Sequence, residues 1–229
     1  WNENHILAND REFFEWMYVD GSHCSFVIAI EGDMVYGIYG FIIYNHEVTP
    51  DMGSSLWKTI KCDYPFLGVT IQKKCEELMH ERIHIGIGLN RRAVKLHNIL
   101  GAPTGQLTQY YRLRNQDEYK VACISQKEIL PFEMSDIRLK KLTREEFCRD
   151  IPETILKKNR PYKSKRYLLH RYFEHPIYQY QCYGIEEDCN QMETFIFCRE
   201  VECMHTKILK MIDVVGDTRC LAQIGKGVE

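Results

Sequence analysis

Three stretches of this 229-residue chain put chemically capable side chains at spacings that matter. The first is His80-Glu81-Arg82-Ile83-His84. An H-E-x-x-H pattern builds a zinc peptidase centre only when both histidines share one helical face, a turn apart, with the glutamate as base. Residues 83–89 read as a short β run containing Gly86 and Gly88. His80 then closes a helix while His84 lies in a strand, and the two rings are not expected to converge. The second stretch, Asn90 to Gly101, follows that strand directly and carries Ala93, Leu96 and Leu100 on one helical stripe with His97 among them. Histidine is the residue type best suited to moving protons near neutral pH. The third is Pro65-Phe66-Leu67-Gly68-Val69-Thr70, between a strand and a helix; read alone, one glycine there is an ordinary turn.

Those residues need elements to hold them. Residues 12–18, with Phe13, Phe14, Trp16 and Met17, suit a short helix that Asp20 and Gly21 end. Runs at 26–31 and 34–44 around Gly32-Asp33 form a hairpin signal, and a third strand is expected at 56–62. A helical period over 69–79, the β run 83–89, the helix from 90 to 100, and β-like runs at 107–113 and 119–124 complete the first half. Residues 126–134, polar and containing Pro131, read as a linker. A weak repeat follows at an offset of 154, aligning Trp16-Met17-Tyr18 with His170-Arg171-Tyr172. It places a hairpin at 178–186 and 194–202, a strand at 207–215 and a helix starting near Thr218, the same order of helix, hairpin, strand and helix.

The run after the strand resembles the signature of the GNAT superfamily of acyl-CoA-dependent N-acyltransferases: Asn90, Ala93 at +3, Leu96 and Gly101 match, while His97 stands where Tyr is usual and Ala102 where Phe is usual. The resemblance covers about residues 1–125. It implies an α/β fold, a mixed sheet flanked by helices; the repeat adds a second domain at 135–229, either a GNAT-like copy that lacks its back half or an unrelated α+β extension. It also implies acetyl-CoA or another acyl-CoA as co-substrate, no metal, and a small-molecule amine acceptor. In the superfamily, the strand splays from its neighbour to leave a cleft for the pantetheine arm, and the turn before the preceding helix holds the CoA pyrophosphate on backbone amides. That assigns Cys62, Leu67, Gly68, Val69, Thr70, Ile71 and Asn90 to the cofactor, although Pro65 replaces the usual basic or amide residue and Thr70 the usual small one. His97 becomes the acid for the departing thiolate, and Asp63, at the end of the fourth strand, or Glu47, in the loop before it, the general base. One of Tyr110 and Tyr111 would line the acceptor side. The opening segment with Asn4, His5, Phe14 and Trp16 is similar to bacterial proteins of surface-polysaccharide synthesis, which favours an amino sugar as acceptor. A non-catalytic acyl-CoA-binding or structural copy is the alternative. Tandem copies in aminoacyl-tRNA-dependent ligases are a further class, and the zinc peptidase a remote one.

Bulk properties narrow the field. Hydrophobic residues at 45% and charged residues at 27% describe a globular chain. A net charge of -2 provides no basic footprint for nucleic acid. The longest nearly apolar run, 34–44, is far too short to span a bilayer, and no secretory signal precedes it, so the expectation is a cytoplasmic protein. The ten cysteines sit irregularly and read as reduced core thiols; Cys198, Cys203 and His205 lack a paired C-x-x-C.

Overall fold

The computed structural model describes residues 4–129, 131, 137–186 and 192–224, and the chain divides into two compact units. The first comprises residues 1–104 with 160–167, the second 105–159 with 168–229. Compactness therefore groups residues 105–125 and 160–167 differently from the expected spans of 1–125 and 135–229. Part of the expected linker at 126–134 lies outside the described residues.

In the first unit, helices α1 (Ile6–Asn9) and α2 (Arg11–Tyr18) precede strands β1 (Phe26–Glu31), β2 (Met34–Ile43) and β3 (Asp51–Thr59). Helix α3 (Leu67–Met79), strand β4 (Ile83–Gly86) and helix α4 (Arg91–Ile99) follow. The sheet runs β1-β2-β3-β4, antiparallel except for the parallel pair β3 and β4. Alternation puts Tyr39, Phe41 and Met52 on the face that α3 covers with Ile71 and Cys75. On the opposite face Tyr18 of α2 hydrogen-bonds Ser55 at 2.9 Å, and Phe14 stacks on Phe26.

Strand β3 begins at Asp51, five residues before the expected start. Gly53, Ser54 and Ser55 have weak strand propensity, which hid it. Gly53 is needed there because a Cβ would lie 2.2 Å from the Tyr44 hydroxyl. Its register with β2 shifts at Ser55, since Gly40 pairs with Leu56 and Phe41 with Ser54. This bulge keeps Ser54 and Trp57 on the same face despite their odd spacing.

Buried polar groups recruit residues 160–167 into this unit. Asp51 accepts both hydrogen bonds of a bidentate Arg82 pair at 2.8 Å and a third from the Tyr162 amide. Asn45 donates to the Tyr162 carbonyl at 2.8 Å, and the Ser164 amide donates to the Tyr44 carbonyl at 2.9 Å. Every one of these groups would be costly if left unpaired in the interior.

The second unit holds β5 (Arg138–Leu142), α5 (Arg144–Asp150), α6 (Glu153–Leu156), β6 (Gln181–Glu186), β7 (Met192–Cys203) and β8 (Thr206–Gly216). Its sheet runs β8-β7-β6-β5, wholly antiparallel. Residues 194–198 are all buried because both faces of β7 are covered: Phe195 and Phe197 meet Phe147, while Ile196 and Cys198 pack with Cys220 and Ile224. Thr143 and Glu146 close a reciprocal capping box on α5. Both units thus contain a three-stranded antiparallel meander, in the order the repeat predicts. Where a helix near Thr218 was expected, a 3-10 turn spans Arg219–Gln223.

Two expected strands do not form. Residues 107–113 and 119–124 have no regular secondary structure, and Leu107, Tyr110 and Tyr111 are exposed at 77%, 88% and 74%. Their residue types favour strands, yet a strand needs a partner ladder, and none of the described strands pairs with them. Among the described residues, no helix is long and apolar enough to cross a membrane, and the nine described cysteines are free.

Candidate active-site cleft

Strands β3 and β4 pair in parallel only from Asp51 opposite Ile83 to Ser54 opposite Gly86. Beyond that point β3 runs on to Thr59, while the other chain leaves through Ile87, Gly88 and Leu89 into α4. The parting opens a cleft of about 560 Å³. Its walls are β3 from Ser54 to Thr59, the loop through Cys62 and Tyr64, the first turn of α3 and the first turn of α4. Gly88 adopts φ of +78°, which lets the chain turn into α4.

Two helix N-termini point at this cleft. Phe66, in the left-handed region at φ of +57°, is the N-cap of α3 and makes no side-chain cap hydrogen bond. The thirteen-residue helix therefore presents uncapped first-turn amides and the positive end of its dipole at Leu67, Gly68 and Val69. At α4, Asn90 caps through its side chain, accepting from the Arg92 and Ala93 amides at 3.0 Å. Trp57 fixes the turn, donating its indole N–H to the Gly68 carbonyl at 3.1 Å. A Cβ at Gly68 would meet that indole at 3.1 Å, so the close approach needs a small residue. The cleft's charged lining residues are Lys61 and Arg92, and no carboxylate lines it. Cations and helix amides beside a lining of mixed polarity suit an anion carrying an apolar arm.

Of the residues expected from sequence, Cys62, Leu67, Gly68, Val69 and Asn90 line the cleft together. Thr70, Ile71, Asp63 and His97 are outside its lining. Ile71 is a core residue, 3% exposed. His97 packs on the cleft residue Trp57, ring centres 5.4 Å apart. Sequence reasoning missed Ser54, Trp57, Lys61 and Arg92. A β-rich run followed by Gly68 was the available signal for Trp57; the others depend on where the strands part.

The H-E-x-x-H residues adopt the arrangement their surroundings predict. His80 is the left-handed C-cap of α3, and His84 lies within β4. Glu76, Glu81 and His84 bring ligand-type atoms within 4.8 Å of one another. Both His84 nitrogens are already hydrogen-bonded, Nδ1 to Glu81 at 3.0 Å and Nε2 to the Tyr39 hydroxyl at 2.8 Å. Cys75 sits beside them, its thiol pushed up to about 12 by burial and by the Glu81 and Glu76 charges. Tyr39 is likewise raised, chiefly by burial.

Neither a protein-family model nor a curated protein matches this chain.

Proposed function

We propose that the first unit binds an acyl-CoA, acetyl-CoA first among them, and transfers the acyl group to a small amine. The fold we propose for it is that of the GNAT N-acyltransferases. The observation that carries the reading is the cleft where β3 and β4 part, open to the uncapped amides of α3 and flanked by Lys61 and Arg92. The pyrophosphate sits at Leu67 to Val69, and the pantetheine arm runs between the strands in place of the missing ladder partner. An amine reaching the thioester forms the N–C bond as the C–S bond breaks. An amino sugar is the preferred acceptor, on the likeness of the opening segment alone.

One observation favours a second reading, binding without transfer: neither His97 nor Asp63 lines the cleft.

The test is titration calorimetry of the full chain with acetyl-CoA, comparing Gly68→Asp with Gly68→Ala. Both substitutions press on the Trp57 indole, but only the aspartate adds charge beside phosphate. One-to-one binding, weakened at least tenfold more by aspartate than by alanine, is expected. Equal affinities in the two variants would remove the pyrophosphate from this turn.

A further inference from the structure

The rim of the cleft carries aromatic surface that folding does not use. Phe66 lines the cleft at the entry to α3, and it is 80% exposed. Its backbone sits in the left-handed region, at φ of +57° and ψ of +22°. There the Cβ of an ordinary residue crowds the following carbonyl, and glycine or asparagine adopts the same geometry at less cost. Burial of the side chain can offset such strain, and Phe66 has little of it. A strained position with no return from packing points to contact with something outside the fold. Tyr64, two residues earlier, also lines the cleft and is 47% exposed. It is held from the neighbouring strands: its hydroxyl donates to Glu31 of β1 at 2.6 Å, and its ring meets Tyr36 of β2 edge-on with centres 5.7 Å apart. Both rings belong to the segment that leads directly into the uncapped amides at Leu67 to Val69.

We propose that Phe66 is the platform on which the adenine of the bound acyl-CoA stacks, with Tyr64 as a second aromatic wall; this inference rests on the acyl-CoA reading above. In CoA the pyrophosphate joins the pantetheine arm to the adenosine. With the pyrophosphate at the α3 amides and the arm running between β3 and β4, the adenosine leaves towards the rim that carries these rings. A purine offers a flat π face, and an exposed phenyl ring stacks on it without any hydrogen-bond partner. The fixed backbone at Phe66 and the two anchors of Tyr64 set the rings in place before the ligand arrives, so less freedom is lost on binding. Phe66 holds the nucleotide end of the ligand only, which places its effect in affinity for the whole cofactor and not for the arm.

The test is titration calorimetry of the full chain with CoA and with 4′-phosphopantetheine, which keeps the arm and one phosphate but lacks the adenosine. Phe66→Ala is expected to bind CoA roughly tenfold more weakly than wild type, and phosphopantetheine within about twofold of wild type. Phe66→Trp, which restores a π face, should recover CoA affinity to within about threefold, whereas Phe66→Leu, apolar but without a π face, should resemble alanine. Thermal unfolding of Phe66→Ala should stay within about two degrees of wild type, because the ring is exposed. If Phe66→Ala does not fold, the leucine and tryptophan variants are compared instead. Wild-type CoA affinity in Phe66→Ala or Phe66→Leu overturns the platform and leaves the acyl-CoA reading standing. Equal losses for CoA and phosphopantetheine also overturn it, since the ring then serves the turn or the arm. Absence of CoA binding by the wild-type chain removes the acyl-CoA reading, and the platform with it.

Discussion

Asp51 is fully buried, and its ionisation is a matter of opposing forces. Burial pushes its pKa up, but the Arg82 hydrogen bonds, the Tyr162 amide and the charges of Arg82 and Arg160 outweigh this and hold it below the ordinary carboxylate range. A carboxylate with a depressed folded pKa adds stability above its unfolded value of about 3.9, and that stability is lost as pH falls through the folded value. Asp51→Asn keeps the shape but loses the charge. Denaturant unfolding should show it about 2 kcal/mol less stable than wild type at pH 7, with the gap closing towards pH 2. A gap that does not change with pH would mean the charge contributes nothing to folding.

At the level of elements, the α3 turn depends on Trp57. Trp57→Phe removes the indole donor to the Gly68 carbonyl and leaves the packing on Tyr39 largely intact. The expected cost is about 1 kcal/mol of stability and a several-fold loss of acetyl-CoA affinity, read by thermal unfolding and calorimetry. Unchanged affinity would separate the indole from the binding turn. Local patterns were enough to find α3, α4, the β1 and β2 hairpin and the β6 and β7 hairpin, because hydrophobic period and turn residues are local signals. They placed Gly68 and Asn90 correctly at helix starts for the same reason. Strand β3 was found late in its course because its first half is held by neighbours and not by propensity. The strands expected at 107–124 were misjudged for the converse reason, since strand-favouring residues without a ladder stay irregular. Tyr162 pairing with Asp51 spans more than a hundred residues, and the Tyr39 hydroxyl meets His84 across 45; nothing local announces either contact.

Taken whole, the chain carries a charge of -2, yet the cleft carries Lys61 and Arg92 with no carboxylate in its lining. Net charge says nothing against a small anion held locally. Exposed charges are screened by salt, so acetyl-CoA affinity should fall roughly fivefold between about 50 and about 500 mM salt. Arg92→Ala should flatten that dependence, whereas a salt-independent affinity would place the phosphates away from both cations.

The central claim is that an acyl-CoA lies where β3 and β4 part, and backbone amide NMR tests it residue by residue. Titrating the full chain with CoA should shift the amides of Leu67, Gly68 and Val69 most, with Gly88 and Arg92 next, while those of β7 and β8 stay in place. No shift at millimolar CoA, or shifts confined to residues outside the cleft, would contradict the account.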